Sequence, residues 1–446
     1  MTRNNKYNVV SLFSGGMGLD IGMHKTGRFN LLACVEIEEA FANTIKTNVD
    51  DGFFGQPVSV LNEDISKLSV KEFLEKTGID PNDVDVVVGG PPCQTFSTAG
   101  RRKSVEDHRG TLLWDYLRFV EGLKPKFFLM ENVRGLLSSA LKHRPIADRP
   151  NRGGAPLMAS ERPGSVVEEF VNDLRKIDNG AYHMDCFEVN AVNYGAPQLR
   201  ERALFIGNRY GKELDFPLPT HGQPSSREPD FFSDESPIPW NTLADALAGL
   251  EEDEPEVMDF SPRKKSFLRQ VPEGSNWRSL PVEAQKDSMK KAFYAKGGRS
   301  GWWRRLSFDL PTPTLVTMPN HASTSLCHPT KTRALSVREY ARIQEFPDSW
   351  MFMGRLTQRY AQIGNAVPVR LGEIAGDVIA SALDDVRPTG YAEVPSETPF
   401  RRVYLQAHVR RRQWFKDGKT IVRGVDTNSD YAPSKTIKKM GNLANG

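Results

Sequence analysis

Cys93 is the residue whose neighbours most invite chemistry. An apolar run, Val86-Val87-Val88, breaks into Gly89-Gly90-Pro91-Pro92 and then Cys93-Gln94-Thr95-Phe96-Ser97. Proline fixes φ and stiffens the turn, so the thiol is held at a defined point beyond a strand end. A lone cysteine is most often a buried hydrophobe, but polar neighbours and the strand-end position turn this one toward a nucleophile. A second apolar run, Phe127-Phe128-Leu129-Met130, ends in Glu131-Asn132-Val133. A carboxyl group at the same edge, partly desolvated, has a raised pKa and can donate a proton near neutral pH. Standing alone it would read as a solvated strand-end glutamate. In Gln198-Leu199-Arg200-Glu201-Arg202, strand alternation sends Gln198, Arg200 and Arg202 to one face. Such a row of donors suits phosphates and base edges, or ion pairs with acids such as Glu201.

The first apolar strand ends in Leu12-Phe13-Ser14-Gly15-Gly16-Met17-Gly18. Glycines there let the backbone turn sharply and present amides toward a ligand, with a helix N-terminus behind; alone, the same residues make an ordinary turn. The next strand ends in Val35-Glu36-Ile37, near the ~20-residue offset at which an acid binds a ribose hydroxyl in nucleotide-binding sheets. A third ends in Asn62-Glu63-Asp64-Ile65. Each acid singly reads equally well as a surface residue or a helix N-cap. Three successive strand ends bearing Gly, Glu and Asp weigh more than any one.

These residues need a scaffold that gathers strand ends. Strands are predicted over Tyr7–Phe13, Asn30–Glu36, Val58–Asn62, Val84–Gly89, Lys126–Val133, His183–Asn190 and Ala203–Asn208, with helical patterns between them. In one of those, Leu112, Tyr116, Phe119, Val120 and Leu123 recur at helical spacing. This alternation builds an α/β fold with a doubly wound, mainly parallel sheet, whose chemistry lies beyond the carboxyl ends of its strands. Residues 140–165, rich in Pro, Gly, Arg and Ser, read as a long loop or insertion. Beyond about 210 the alternation breaks down, and it returns near Leu335 with SVREYARIQEF and a long amphipathic helix over Val367–Leu383. A second domain inserted into the first is the simplest account.

The 446 residues, 39% hydrophobic and 26% charged, exclude a disordered or collagen-like chain and suffice for two or three domains. No run of 18 apolar residues is present, no signal peptide is read at the start, and the four cysteines (Cys34, Cys93, Cys186, Cys327) lack the spacing of zinc sites or a disulfide framework. A cytoplasmic setting is expected. The net charge of +3 is unevenly spread: residues 401–446 hold 11 basic against 3 acidic residues, and residues 261–305 hold 12 against 3. Two basic segments point to a polyanionic partner, or to solvated faces.

In order along the chain, FSGGMG, VEI, NEDI, GGPPCQTFS, RGTLLWD, ENV, QLRER, SVREYARIQEFPD and QIGNAVP resemble the DNA (cytosine-5) methyltransferase family of the bacterial modification type. The match spans roughly residues 7–209 and 335–385. The resemblance implies an S-adenosylmethionine-dependent, Rossmann-like catalytic domain over 1–209, a target-recognition domain over 210–334, a return segment over 335–390 and a basic tail over 391–446. Phe13, Ser14, Gly15 and Gly18 would line the S-adenosylmethionine site. Glu36 would hold the ribose, Ile37 would stack on adenine and Asp64 would accept from its amino group. Ile65, Pro91 and Leu112 would lie beside the cofactor, with Asn365 and Val367 returning to close the pocket. Cys93 would be the nucleophile, Glu131 would bond the cytosine ring nitrogen, Arg202 would contact the base, and Arg200 would support the site. Two departures stand out: Met17 replaces a common glycine and Ser11 a common acid.

The implied reaction is methylation of cytosine carbon 5 within a specific duplex DNA sequence, as part of a restriction-modification system, through a covalent Cys93 adduct to a flipped-out base. Double-stranded DNA is the implied partner, with a cognate restriction endonuclease acting on the same site. The protein would be a monomer, with no metal and no membrane. The alternatives are a tRNA cytosine-5 methyltransferase and a catalytically silent DNA-binding regulator. Recognition is expected from the insert, with Trp277, Phe293, Tyr294, Trp302 and Trp303 among its basic residues. The tail's Arg401-Arg402, Arg410-Arg411-Arg412 and Trp414 would add phosphate contacts, or serve no role.

Overall fold

The computed structural model describes residues 6–92, 111–222, 237–295, 299–386 and 400–405, with the backbone of 415–416 and 419–420. The seven predicted strands form β1 (Tyr7–Leu12), β2 (Phe29–Val35), β3 (Ser59–Leu61), β4 (Val86–Gly89), β5 (Phe127–Val133), β6 (His183–Asn190) and β8 (Glu201–Asn208), with a short additional strand β7 (Gln198–Leu199) before the last. Two-residue strands β9 (His221–Gly222) and β10 (Ile238–Pro239) pair with each other, and β11 (Thr312–Pro313) pairs with β7. A further strand, β12 (Phe400–Tyr404), closes one edge of the main sheet. The sheet order is β12-β6-β8-β5-β4-β1-β2-β3, parallel except where β8 runs against β5 and β6.

Both faces of the sheet are covered, which is why its strands read as unbroken apolar runs. Val86, Val88, Phe127 and Leu129 pack into one core, while Val87, Phe128 and Met130 between them pack into the other. Helices α1 (Gly18–Lys25) and α2 (Glu39–Asp50) lie on the first face. Helices α3 (Val70–Thr77), α4 (Leu112–Leu123) and α5 (Ser165–Leu174) lie on the second. Within the insert are α6 (Leu243–Leu247), α7 (Pro262–Leu268) and α8 (Val282–Met289); α9 (Val337–Ile343), α10 (Leu356–Asn365) and α11 (Val369–Val386) follow. The last two return to the first core. α1 and α11 pack backbone against backbone: a Cβ at Gly22 would lie 2.2 Å from Val369 O, and one at Gly372 would lie 2.3 Å from Leu19 O.

The insert has a small core of its own, built from Phe260, Phe267, Leu268, Trp277, Met289 and Trp303. Trp277 and Trp303 therefore belong to an interior and not to the aromatic surface expected of them, and Arg278 and Arg299 stack on Trp277. Phe293 and Trp302 are half-buried, and Tyr294 is exposed. Arg305 is likewise buried, donating to the carbonyls of Leu268, Val271 and His328. Residues 251–259, which hold six acidic side chains, are partly engaged: Glu252 accepts from Ser336, Glu256 pairs with Arg359, and Asp259 with Lys265.

The basic tail also departs from expectation. Arg401 is buried, pairing with Asp185 at 2.6 Å and Glu213 at 2.9 Å, and Arg402 pairs with Glu188 at 2.6 Å. Both hold β12 to β6 and are not free for phosphates. Arg410-Arg411-Arg412 and Trp414 lie outside the described residues. Among the described residues, no helix is long and apolar enough to cross a membrane.

Candidate active site

The carboxyl ends of β4 and β5 meet the amino end of β8 at one edge. Cys93 itself lies outside the described residues, as do Gln94 to Lys103, but the chain is placed as far as Pro92. Gly90 lies against Glu131 so closely that a Cβ there would sit 3.1 Å from Glu131 Oε2. Asn132 donates its side-chain amide to Pro91 O at 3.0 Å, tying the Pro-Pro turn to the end of β5. Gly89 is more tightly confined, since a Cβ would come within 2.5 Å of Leu12 O. Crowding by backbone therefore requires glycine at 89, Gly90 sits tightly against the Glu131 carboxylate, and Asn132 ties the turn that leads toward Cys93 to the end of β5.

Glu131 forms an ion pair with Arg202 Nε, and both side chains are mostly buried. Arg202 also donates to Glu201 O at 2.8 Å. The register explains the pairing: Arg202 stands opposite Val133 on β5 and Val189 on β6, so its guanidinium reaches back to Glu131. Arg200 points elsewhere. It is buried and donates to Leu315 O at 3.3 Å, Gly364 O at 2.9 Å and Asn365 O at 3.1 Å. Burial, with the nearby Arg202, pushes its guanidinium well below the usual range. Its hydrogen bonds go to backbone behind the site, which is how it supports the strip that carries Arg202.

The other three cysteines are buried, and burial pushes their thiols up, Cys327 to about 11 and Cys34 and Cys186 well above the ordinary value. None of them is poised as a thiolate.

At the neighbouring strand ends, the 13–17 loop takes the left-handed region at Phe13 (φ +53°), Gly15 (φ +54°) and Met17 (φ +67°). Gly15 N–H donates to Glu36 Oε2 at 2.7 Å and Glu38 N–H donates to Oε1 at 2.9 Å. Burial raises the Glu36 pKa, and these two backbone bonds offset part of the rise. Ile37, next along, is 58% exposed, a large apolar side chain left facing outward beside a buried carboxylate. Gly18 touches Val367: a Cβ would lie 2.0 Å from Val367 O, so residues some 350 positions apart share one lip. Asn365 is exposed at the end of α10, and Val367 is buried. Ser14 is buried, its hydroxyl 2.9 Å from that of Ser11. Pro91 and Ile65 are buried and Leu112 is half-buried at the start of α4.

Asp64 is committed locally. Its Oδ1 accepts from Ser66 N at 3.0 Å and Ser66 Oγ at 2.7 Å, which holds its pKa below the ordinary carboxylate range. The arrangement otherwise fits an adenosine-bearing cofactor: a carboxylate fixed by two amides, an outward apolar residue after it, and a glycine loop with no room for side chains at Gly18. Sequence reasoning missed Gln344, which is buried behind this lip, and the confinement of Gly90. The first lay inside a quoted motif without an assigned role, and the second shows only in three dimensions.

Residues 7–381 match the family model for C-5 cytosine-specific DNA methylases. The chain is 35% identical over 393 residues to the Type II methyltransferase M.Eco47II of Escherichia coli, covering 86% of this chain and 81% of that protein. It is 33% identical over 390 residues to M.Sau96I of Staphylococcus aureus, covering 86% and 77%. Among solved structures, it superposes on a candidate DNA modification methyltransferase from an E. coli prophage with a TM-score of 0.53 at 25% identity, covering 85% of this chain and all of that one. The Dnmt2 methyltransferase of S. pombe shares the fold, with a TM-score of 0.52 at 14% identity over 86% of this chain and all of that one.

Proposed function

Because this chain belongs to the C-5 cytosine-specific DNA methylase family, and so is a DNA cytosine-5 methyltransferase, we propose that Cys93 is its nucleophile and that Glu131 and Arg202 hold the target ring. Carbon 5 of cytosine is a poor nucleophile. The Cys93 thiolate adds to carbon 6, forming a C–S bond and moving the double-bond electrons toward carbon 5, while Glu131 delivers a proton to ring nitrogen 3. Carbon 5 then takes the methyl group. Loss of its proton to water in the site returns electrons to the ring, the C–S bond breaks, and nitrogen 3 gives its proton back. Arg202 steadies the Glu131 carboxyl group and contacts the base. The target atom is inaccessible in a duplex, so the base is flipped out at a cost of a few kcal/mol.

S-adenosylmethionine, the methyl donor of such enzymes, carries an activated methyl on a sulfonium. Phe13, Ser14, Gly15 and Gly18 would line its site, Glu36 would accept from the ribose, Ile37 would cover the adenine, and Asn365 and Val367 would form the far lip. Ile65, Pro91 and Leu112 would complete the wall, and the adenine amino group would reach Asp64 only beside the bonds to Ser66. The insert would read a specific duplex sequence, and the Type II relatives favour a restriction-modification setting with a cognate endonuclease.

The observation that carries the catalytic reading is the seating of Gly90 against the Glu131 carboxylate, three residues before Cys93. The test is covalent capture. Wild-type protein with S-adenosylmethionine and duplex DNA containing 5-fluorocytosine should form a denaturation-resistant adduct, because fluorine cannot leave as a proton does. Cys93→Ala should form none and lose methylation while binding the cofactor normally. Robust turnover by Cys93→Ala would remove the thiol from the mechanism.

A further inference from the structure

Behind the cofactor lip, α10 ends without glycine in the usual capping position, and its last carbonyls are met by side chains from two distant parts of the chain. The final carbonyls of a helix have no partners within it. Here Gln344 donates to Ile363 O at 2.6 Å and Ala366 O at 3.0 Å, and Arg200 donates to Gly364 O at 2.9 Å and Asn365 O at 3.1 Å. Four consecutive carbonyls, 363 to 366, are thus fixed from behind. Gln198 joins the set, donating to Gln344 Oε1 at 2.9 Å and accepting from Leu315 N at 2.9 Å. All three side chains are buried. The fit has no slack, since a Cβ at Gly364 would lie 2.9 Å from the Val316 carbonyl group.

We propose that Gln344, with Gln198 and Arg200, is a positioning residue for methyl transfer: the trio caps α10 and so sets Asn365 and Val367 at the height the cofactor requires. The inference rests on the reading of those two residues as the cofactor lip. A positive group or donor at a helix C-terminus also favours the exposed carbonyl dipoles. Gln198 and Arg200 also tie Leu315, in the later part of the insert, to the strip that carries Arg202. Gln344 touches neither reactant and acts only through the 363–366 backbone.

Gln344→Leu keeps the volume and removes every bond; Gln344→Glu keeps the acceptor for Gln198 and sets a carboxylate against two carbonyls. Calorimetric titration of S-adenosylmethionine into the DNA-free protein should show the dissociation constant raised about tenfold in both, while kcat at saturating cofactor falls less than threefold. A cap that serves stability alone would lower the melting temperature and leave the dissociation constant at the wild-type value, and that result in a folded variant overturns the proposal. Should Gln344→Leu fail to fold, Gln344→Glu carries the same decision. Wild-type protein that binds the cofactor but is not captured by the 5-fluorocytosine duplex would defeat the Cys93 reading and leave this one standing.

Discussion

Met17 holds a side chain in a backbone conformation that glycine takes without cost. Its φ of +67° and ψ of 15° keep the turn left-handed, and its side chain is 1% exposed. A strained φ costs on the order of 1–3 kcal/mol, and burying a methionine returns about 2 kcal/mol. The two nearly cancel, so the departure from glycine leaves the loop geometry intact. Asp20, three residues on, is a different case. It is buried with one carboxyl oxygen unpartnered, and desolvation pushes its pKa to about 7, a hydrogen bond from Ser11 offsetting part of that. The folded protein therefore keeps this proton while the unfolded chain loses it, so folding stability drains away as pH rises from about 4 to about 7 and is flat above. Asp20→Asn should remove a loss on the order of 4 kcal/mol. In chemical denaturation the variant should gain on wild type between pH 4 and 7 and hold that gain at pH 8. A difference independent of pH would show that Asp20 is charged in the folded state.

At the scale of elements, two long-range junctions decide the architecture. α1 and α11 approach as closely as backbones allow, and Gly18 meets Val367 at the lip proposed to face the cofactor. Gly18→Ala should force the two apart, lower stability by about 1–3 kcal/mol, and raise the dissociation constant for S-adenosylmethionine more than it lowers the melting temperature would suggest. Calorimetry and thermal denaturation of the one variant check both effects. The second junction is β12. Asp185 is fully buried, accepts from Leu214 N at 2.7 Å, and has Arg401 as its cationic partner. Removing one member of a buried pair strands the other, at about 3–5 kcal/mol. Arg401→Leu should therefore cost several times what substitution of a surface arginine costs. A loss below about 1 kcal/mol in urea denaturation would mean that β12 contributes little to the sheet.

For the molecule as a whole the net charge is small, but residues 261–305 hold 12 basic residues against 3 acidic ones. The insert keeps Arg263, Lys290 and Lys291 on or near its surface while Arg305 is spent inside it. Duplex binding that neutralises about six phosphates should weaken roughly a thousandfold between about 50 and 200 mM salt. Cofactor binding by the DNA-free protein should be nearly insensitive to the same change. Filter binding against calorimetry across that range distinguishes the two, and a flat salt response for DNA would remove the basic insert from the interface.

The sequence alone determined seven of the main sheet's eight strands and the residues at their ends. A strand buried on both faces must be a continuous apolar run, and the break in such a run marks where Glu36, Glu131 and Cys93 stand. The mainly parallel sheet followed from strand–helix alternation. Tertiary structure decided what depends on partners far away in the chain. Trp277 and Trp303 look like surface aromatics among arginines until a local core closes over them. Arg401 looks like part of a free basic tail until Asp185, 216 positions earlier, claims it. Gln344 has no local signal at all, because the carbonyls it satisfies are orphaned by a helix end that only the fold brings to it.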